Sequence, residues 1–548
     1  MKTASTLEIG QIRIHETIKW CDSCFESYRS DEPEEIVPHS CRFGFDILVY
    51  VGMALFVKHQ NERQIQEELA NRNIAISIRQ VGYLAKKFIV YLTLAHRESQ
   101  ERIKDLLLSN GGYILHIDAT CDGDSPQLMT ALDEIARIVL SNIKIPSEKA
   151  DKIIPFLSQL KQSYGMPIAI VHDMGVGILS SVLEVFPNIP DYICHYHFLR
   201  DIGNDLLGSQ YAKVRTGIAK HSIRPFLRRT IRALSKKIST EPDLAESLES
   251  YLQDEGRSGR VLPPVLVHIL SNWILDANSE LNGYGFPFDR AHHIFFKRLL
   301  AVRDVLSALP TEDKEDRYIT RLSKAIGRIT ADGNLRAAVT SMEEKAQVFD
   351  QLRDAMRIAS PDGQKGLNDD GEDADMQTIR EAVTAFRNSD EIENAAKNSP
   401  DYRKMVKQID KYWEKLFADP IAVTTRDGER LCVQPQRTNN ILERFFRDIK
   451  RMYRSKSGVR SLNRAIKSMI ADTPLVKNLS NPEYMEVLLN GKETLEARFA
   501  DIDATLVREE LKKKDPDQIT MPPRMKRVLR KHAFPFAMCK KPRIAAVI

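Results

Sequence analysis

The chain holds 548 residues, too many for one compact core, since single domains usually contain about 100–200 residues. A hydrophobic fraction of 43% and a charged fraction of 28% are typical of a soluble globular protein, and no apolar run approaches the roughly 20 residues that span a bilayer. The first residues, with Glu8 close behind Lys2, do not resemble a signal peptide. Composition therefore excludes a membrane-spanning protein and favours a cytoplasmic one built of several units.

The cysteines and the distribution of charge restrict the chemistry further. Seven cysteines spread over this length do not form a disulfide framework, so in a reducing compartment we expect free thiols or metal ligands. The net charge is only +5, but residues 443–464 and 512–543 are basic, whereas residues 362–375 are acidic. Segregated charge of this kind favours a polyanionic partner.

Residues 1–45 contain a possible zinc-binding module of the zinc-ribbon type. Cys21-Asp-Ser-Cys24 is followed, after a spacer of 14 residues, by His39-Ser-Cys41. Zinc prefers four tetrahedral thiolate and imidazole ligands, so these two pairs could close a small structural site. The alternative of three unrelated cysteines and a surface histidine stays open, because the second pair is spaced more tightly than usual.

Residues 46–110 have the pattern of a helical helix-turn-helix region. A first helix at residues 62–71 is followed by Asn73, which can adopt the left-handed turn conformation. Ser77 and Gln80 predict a capping box for a second helix through about Tyr91. Such a second helix can enter the DNA major groove, although an ordinary helical hairpin has the same pattern. Its buried face would be Val81, Leu84 and Phe88, and its outward side chains would be Arg79, Gln80, Lys86 and Lys87.

Residues 111–207 have the pattern of an α/β unit in which two apolar strands end in acids. The runs at residues 113–118 and 167–173 finish at Asp118 and Asp173. A short apolar run bounded by turn residues predicts a buried strand, and a charge at its end is costly unless something compensates it. Two endings of this kind suggest a metal or phosphate site.

Other predicted elements complete a mixed sheet around these strands. They are strands at residues 127–132 and 135–141, a helix at residues 147–164 that Ser147 would cap, a helix through Val185, and a strand ending in Cys194-His195-Tyr-His197. The order of three strands, helix, strand, helix, strand is that of a ribonuclease H-like core, with a mixed five-stranded sheet.

A large all-α insertion is predicted for residues 208–435, and a helix within residues 436–475 then carries a third acid. Thr438 or Asn439 would cap this helix, and Glu443 would lie within about 40° of several cations. The alternative without a catalytic role is an amphipathic helix with intrahelical ion pairs. The candidate phosphate-binding side chains on it are Arg447, Lys450, Arg451 and Arg454.

The region after this helix, residues 476–548, is basic. From Lys512 onward its cations are interspersed with Pro and Phe. Each cation placed on a phosphate releases condensed counterions, so the tail would add sequence-independent DNA affinity. A plain solvated tail is the alternative.

The three acids together suggest phosphodiester chemistry. Asp118, Asp173 and Glu443 can hold two divalent cations about 3.5–4 Å apart, which clamp the attacking and leaving oxygens of a displacement. Magnesium suits such a site because it binds through carboxylates and retains waters and substrate oxygens.

The chain resembles the DDE-type transposases of the ribonuclease H-like superfamily. The branch it resembles has a large helical insertion before the Glu, as in the Mutator-like group and its bacterial insertion-sequence relatives. Asp118, Asp173 and Glu443 match the triad in order and setting, and Cys194 and His197 match the C-x2-H signature of that branch. Residues 440–447 resemble its N-x-x-E-x-x-x-R helix, and the whole resemblance covers about residues 112–464.

The resemblance implies a transposase that cuts double-stranded DNA at element ends and joins the 3′-ends to a target. It implies two Mg²⁺ or Mn²⁺ ions per active site on the triad, a homodimer on DNA, and active-site support from Cys194 and His197. The protein would be cytoplasmic and nucleoid-associated when bound to DNA. Two alternatives are a non-catalytic DNA-binding protein derived from a transposase and a structure-specific nuclease on the same core.

Some site assignments have competitors. Asp122 and Asp124, in the turn after Asp118, could replace it as metal ligands, although a turn rich in Asp and Gly has a structural explanation. Asp448 lies about 140° round the helix from Glu443, so it is a poor substitute. Cys194 and His197 would lie on opposite faces of an extended strand and can converge only if the strand ends there.

Overall fold

The computed structural model describes residues 2–15, 18–28, 32–38, 41–253, 261–359, 376–458 and 461–512. Within these ranges no helix is long and apolar enough to cross a membrane. The fold divides into two compact units. The first lies within residues 1–110, 118–166 and 444–548, and the second comprises residues 111–117 and 167–443.

The first unit begins with two β-hairpins followed by helices. The elements are β1 (Lys2–Thr6), β2 (Gly10–Ile14), β3 (Lys19–Cys21), β4 (Glu26–Tyr28), α1 (Glu32–Ile36), α2 (Phe45–Phe56), α3 (Glu62–Asn71), α4 (Ile78–Glu98) and α5 (Gln100–Ser109). β1 pairs with β2 and β3 with β4, both antiparallel. A Cβ atom on Gly52 would lie 2.2 Å from Cγ of Phe88, so α2 and α4 approach closely because position 52 has no side chain.

The predicted pair of helices around Asn73 is confirmed as α3 and α4. The Ser77 hydroxyl accepts the N–H of Gln80 at 3.3 Å, and Oε1 of Gln80 accepts the N–H of Ser77 at 2.9 Å, which is the predicted capping box. Asn73 has φ +59°, as the predicted turn requires. α4 continues to Glu98 instead of ending near Tyr91, because most of its second half is buried.

The prediction that Lys87 faces outward is wrong. Its side chain is buried, with Nζ 5.9 Å from the centroid of the Tyr91 ring. α4 packs against α2, α3 and α5, so its buried surface is wider than one apolar stripe. That stripe, consisting of Val81, Leu84 and Phe88, is buried as predicted.

A mixed five-stranded sheet follows, with the predicted order of elements. They are β5 (Ile114–Thr120), β6 (Gln127–Asp133), β7 (Val139–Ile145), α6 (Ala150–Tyr164), β8 (Ala169–His172), α7 (Val176–Val185) and β9 (Asp191–Ile193). The strand order in the sheet is β7-β6-β5-β8-β9. β8 runs parallel to both β5 and β9, and β6 runs antiparallel to β7. An α/β sheet of five strands is therefore confirmed.

Several boundaries in this sheet region differ from the prediction. β7 starts at Val139 rather than at residue 135, because the Asp133 carboxylate accepts the N–H groups of Ile135 and Ala136 and holds that segment in a turn. Ser147 does not cap α6, whose N-cap is Lys149 and has no side-chain hydrogen bond. The last strand ends at Ile193, and the next helix begins at His195.

The second unit continues with helices, most of which contribute to one apolar core. They are α8 (His195–Lys220), α9 (Ile223–Thr240), α10 (Pro242–Gln253), α11 (Pro263–Leu275), α12 (Ala291–Ala308), α13 (Thr311–Lys314), α14 (Arg317–Thr330), α15 (Gly333–Ala355), α16 (Met376–Arg387), α17 (Asp390–Asn398) and α18 (Pro400–Leu416). Leu207, Phe295 and Phe349 lie in this core. The helical pattern predicted for this region is confirmed.

The prediction that residues 208–435 are all-α is wrong, because a β-hairpin follows α18. Its strands are β10 (Ile421–Thr424) and β11 (Arg430–Val433), paired antiparallel. Gly428 has φ +81°, a conformation that glycine adopts without a Cβ penalty. An Asp427-Gly428 turn between two β-prone runs is a hairpin signal in the sequence.

The chain then ends its described part with helices of the first unit. They are α19 (Asn440–Ser457), which begins at the end of the second unit, and α20 (Asn463–Ser468), α21 (Pro482–Leu489), α22 (Leu495–Ala500) and α23 (Ala504–Lys512). Predicted basic residues beyond Lys512 lie outside the described residues.

His96, near the end of α4, is buried among polar partners of the first unit. Its Nε2 donates to the carbonyl of Leu140 at 2.9 Å, because a carbonyl only accepts, and Nδ1 is therefore left to accept the Tyr484 hydroxyl at 3.0 Å. Burial lowers the pKa of His96 to about 4. Burial has the opposite effect on the carboxyl of Asp472 and raises its pKa to about 6.

We predict that His96→Gln flattens the dependence of stability on pH. In the folded protein His96 stays neutral down to about pH 4, whereas in the unfolded chain it becomes protonated below its ordinary pKa of 6.5. The contribution of neutral His96 to the free energy of unfolding is therefore complete above pH 6.5 and is lost as the pH falls toward about 4. Urea unfolding at pH 7 and pH 5 should show wild type losing about 1–2 kcal/mol more than the variant. The raised pKa of Asp472 stabilises the folded state as the pH falls toward 4, but this effect is the same in the wild type and in the variant. Equal losses of unfolding free energy in the wild type and in His96→Gln would contradict a lowered pKa for His96.

Candidate active site

Asn439, the residue before α19, anchors the start of that helix. Its side chain is fully buried. Its backbone N–H donates to Sγ of Cys194 at 3.3 Å, and its Nδ2 donates to the carbonyl of Ile117 at 3.1 Å. Its Oδ1 accepts the Nδ1 proton of His116 at 2.8 Å. These contacts tie the N-terminus of α19 to β5 and to the start of α8.

Glu443 lies in the first turn of the helix that Asn439 anchors. The N–H of Glu443 donates to the carbonyl of Asn439 at 2.9 Å, an early hydrogen bond of α19. Its side chain is 45% exposed, so the carboxylate keeps access to solvent and ligands. The structure thus fixes the backbone of the predicted acid relative to Ile117, the residue that precedes Asp118 in β5.

Cys194 and His197 both contact the segment that carries Glu443. β9 ends at Ile193 and Cys194 is the N-cap of α8, so the strand ends where convergence of this pair requires it to end. The thiol of Cys194 accepts from Asn439, and Nε2 of His197 lies 3.9 Å from Oε1 of Glu443. Three residues apart at a helix start, the two side chains share one face.

Arg437 fixes the segment that leads to Asn439. Its carbonyl accepts the N–H of His195 at 2.9 Å, and its buried guanidinium donates to the backbone carbonyls of Met356 and Arg357 after α15. The approach to α19 is therefore held by both the start of α8 and the end of α15.

Asp173 follows β8 directly and is held in a tight turn. Its Oδ1 accepts the N–H of Gly175 at 3.0 Å. The preceding residue, His172, is buried, with Nδ1 donating to the carbonyl of Asp173 at 2.6 Å and Nε2 at 3.1 Å from Oδ2 of Asp191. Lys415 also pairs with Asp191. This network fixes the end of β8 at the point where Asp173 emerges.

The electrostatics of this network keep Asp191 ionised. Burial of the Asp191 carboxyl raises its pKa, but hydrogen bonds and charge from His172 and Lys415 outweigh that effect and hold the pKa below its ordinary value. A charged, fully engaged Asp191 therefore braces His172 and leaves Asp173 as the acid that follows the strand.

Asp118 lies in β5 and is nearly buried. Its Oδ1 accepts the N–H of the next residue, Ala119, at 2.7 Å. The predicted setting of a strand-borne acid is therefore observed, although β5 continues two residues further, to Thr120.

The competitors Asp122 and Asp124 are occupied by contacts to the start of α20. Oδ2 of Asp122 accepts from the Ser461 hydroxyl at 2.8 Å and from the N–H of Leu462 at 2.6 Å, and these hydrogen bonds lower its pKa. Asp124 accepts from Asn463 and pairs with Lys467, which lowers its pKa to about 2. Because these contacts give Asp122 and Asp124 a structural role, Asp118 is the better candidate for a metal ligand in this segment.

Asp448 is also engaged elsewhere. Its carboxylate lies 3.0 Å from Nζ of Lys477 and 4.0 Å from a guanidinium nitrogen of Arg451. The other candidate cations of α19, Arg447, Lys450 and Arg454, are exposed, as predicted. Leu442, Phe446 and Ile449 of the same helix are buried. DNA contact by these cations stays a prediction.

The predicted major-groove side chains of α4 divide into three cases. Arg79 and Lys86 are exposed. Gln80 is half-buried, and its side chain belongs to the capping box. Lys87 is buried and is excluded as a groove contact. Contact between DNA and the remaining side chains is untested.

Two of the predicted zinc ligands share one hairpin turn. Cys21 ends β3 and Cys24 lies in the turn to β4, where the N–H of Phe25 donates to the carbonyl of Cys21 at 2.9 Å. Hydrogen bonds from Cys24 lower the pKa of the Cys21 thiol, which favours the thiolate form that binds metal. Cys41 is buried, and His39 lies outside the described residues.

In the part of the chain that the structure describes, no group of three or more His, Cys, Asp or Glu side chains is arranged to hold a metal ion. By donor chemistry, Asp118, Asp173 and Glu443 are carboxylates, which Mg²⁺ and Mn²⁺ accept.

Comparison with known proteins adds no family to these features. No protein-family model matches the chain, and no curated protein matches it. The residues and contacts described above therefore carry the functional conclusions alone.

Proposed function

We propose that the protein is a metal-dependent DNA transposase of the DDE type with a ribonuclease H-like core. It would cut double-stranded DNA at element ends and join the 3′-ends to target DNA, acting as a homodimer on DNA. The sheet order β7-β6-β5-β8-β9, with β6 antiparallel to β7 and the last three strands parallel, resembles that core.

The contacts of Asn439 support this proposal most strongly. They join the N-terminus of α19 to Ile117 and Cys194, although most of the second unit lies between Cys194 and Asn439 in sequence. A buried amide is costly unless its polar groups are paired, so these contacts hold one register. That register holds the start of α19, which carries Glu443, against Ile117, the residue before Asp118 in sequence.

In this proposal the three carboxylates provide the charge that a phosphodiester displacement needs. Asp118, Asp173 and Glu443 would hold two Mg²⁺ or Mn²⁺ ions, which when bound activate the attacking hydroxyl and stabilise the leaving oxygen. Water attacks phosphorus in cleavage, and the bond to the departing oxygen breaks as that oxygen gains a proton. In joining, a DNA 3′-hydroxyl takes the place of water.

His197 would position the third carboxylate. Its Nε2 lies 3.9 Å from Oε1 of Glu443, outside hydrogen-bond length but close enough for a favourable charge interaction when the ring is protonated. Cys194 supports the same helix through the N–H of Asn439. These two residues would act through Glu443 rather than on the DNA.

A cleavage assay distinguishes the proposal from its alternatives. The full chain would be incubated with Mg²⁺ or Mn²⁺ and a DNA fragment carrying the sequences that flank its own coding region. A transposase cuts the fragment and joins its 3′-ends to a second DNA. A structure-specific nuclease would cut without joining. Tight binding with no cleavage under either metal would sink the enzyme proposal and leave a DNA-binding protein.

We predict that Asp118→Asn, Asp173→Asn and Glu443→Gln each lower the cleavage rate by about 10³-fold or more, because groups that act as a unit fail together. DNA affinity and the urea midpoint should change little. Asp448→Asn is the matched control on α19, since that acid pairs with Lys477. Near-normal activity in any of the three would remove that residue from the site.

We also predict that Asn439→Ala lowers the cleavage rate by more than its loss of stability explains. The variant should lose about 1–3 kcal/mol of unfolding free energy, because the buried partners of the amide are left unpaired. Asn478→Ala is the control, since Asn478 is equally buried and bonds the N–H and carbonyl of Val139. Single-turnover cleavage per folded molecule should fall in Asn439→Ala alone. An equal fall in both variants would reduce Asn439 to a stability role.

The hairpin that carries Cys21 and Cys24 would hold a structural zinc ion together with His39 and Cys41. We predict that the purified protein contains about one zinc per chain and that Cys21→Ser loses it, since the site needs four ligands. Metal analysis of both proteins measures this, with Cys432→Ser, an exposed cysteine on β11, as control. A zinc-free wild type would end the zinc proposal.

A further inference from the structure

Two neighbouring helices of the second unit, α9 and α14, carry many cations and no carboxylate. α9 spans Ile223–Thr240 and α14 spans Arg317–Thr330, and neither sequence contains Asp or Glu. The whole chain has a net charge of only +5. The cations of α9 are Arg224, Arg228, Arg229, Arg232, Lys236 and Lys237, and those of α14 are Arg317, Arg321, Lys324 and Arg328.

The cations of α14 form one exposed stripe. Arg317, Arg321, Lys324 and Arg328 stand at i, i+4, i+7 and i+11, which places them within about 60° of one another around the helix. All four are exposed. The stripe is about 16 Å long, at a rise of about 1.5 Å per residue.

α9 presents a similar exposed face. Arg228, Arg229, Arg232 and Lys236 are exposed, while Leu227, Leu234 and Ile238 of the same helix are buried. At about 100° per residue the four cations occupy an arc of about 100° on the side away from those apolar residues.

The two helices touch each other through side chains near these stripes. The guanidinium of Arg321 on α14 lies 5.7 Å from the centroid of the Phe226 ring on α9. Nζ of Lys237 on α9 lies 5.2 Å from the centroid of the Tyr318 ring on α14. We call the eight exposed cations on these two helices the α9–α14 stripes.

The α9–α14 stripes lack the compensation seen elsewhere in the second unit. None of the eight pairs with a carboxylate of the described residues. Like charges at i, i+4 are mildly destabilising, so uncompensated stripes suit a function in which a polyanion neutralises them. Other cations of the unit do pair with acids, namely the exposed Lys297, Arg303 and Lys404 and the half-buried Arg387.

We propose that the α9–α14 stripes bind the phosphate backbone of double-stranded DNA without reading its sequence. Duplex DNA carries one negative charge per about 1.7 Å of its axis, so a stripe about 16 Å long faces several phosphates. Arginine, which makes up six of the eight, binds phosphate oxygens in a bidentate way. The choice of DNA over other polyanions rests on the proposed function.

The test is the salt dependence of binding to a duplex of arbitrary sequence. One variant changes Arg317, Arg321, Lys324 and Arg328 to Gln, and a second changes Arg228, Arg229, Arg232 and Lys236 to Gln. Fluorescence anisotropy between 50 and 200 mM salt gives the slope of log K against log salt, with about 0.9 lost per phosphate contact removed. We expect each variant to lose about 2–4 from the slope. Circular dichroism and thermal melting check that both remain folded.

A matched control changes Lys297, Arg303, Arg387 and Lys404 to Gln, which removes the same number of cations from the same unit. Its slope should change by less than about 1, because those cations are compensated by carboxylates. Slopes in both stripe variants that equal the control would overturn the proposal. So would a single-stranded RNA that binds the stripes more tightly than duplex DNA does.

The outcomes separate this inference from the proposed function. If the protein never cleaves DNA but the salt slope falls in the stripe variants, the proposed binding surface is supported and the proposed transposase activity is contradicted. If the protein cleaves and joins DNA but the salt slope is unchanged in the stripe variants, the transposase activity is supported and the proposed binding surface is contradicted.

Discussion

The structure around the candidate site depends on one buried amide, that of Asn439. Because the side chain is fully buried, its polar groups need partners: Nδ2 donates to the carbonyl of Ile117, and Oδ1 accepts from His116. The backbone N–H of the same residue donates to Sγ of Cys194. A shift of α19 by one residue would break all of these hydrogen bonds together. The position of the start of α19, which carries Glu443, relative to Ile117 is therefore set by polar pairing. Apolar packing of Leu442 and Phe446 stabilises the helix but tolerates more sliding.

Much of the sheet and many helices follow from local patterns in the sequence. Apolar runs predicted β5, β6 and β8, and the acids that follow or interrupt them marked Asp118 and Asp173. Caps are equally local, so Ser77 and Gln80 predicted the start of α4. The apolar stripe of α19 and the exposure of its cations also followed from helical periodicity. In each case the determining residues lie within a few positions of one another.

The remainder depends on partners distant in sequence or on competing local bonds. No sequence pattern links His172 and Asp191 to Lys415, yet together they brace the end of β8. Lys87 is buried because α4 has helices on more than one side, which periodicity along one helix does not report. β7 begins late because Asp133 captures two backbone N–H groups. The hairpin of β10 and β11 has a local signal in Asp427-Gly428, but it lies at the end of a long helical pattern that predicts no strand.

The most direct test is a crystal structure of the full chain bound to duplex DNA and Mn²⁺, with the metal located by anomalous scattering. We predict two peaks about 3.5–4 Å apart, held by Asp118, Asp173 and Glu443 next to a phosphate, with Asn439 still bonded to Ile117 and Cys194. Carboxylates that stay apart in the DNA-bound state, or manganese bound at other residues, would contradict it.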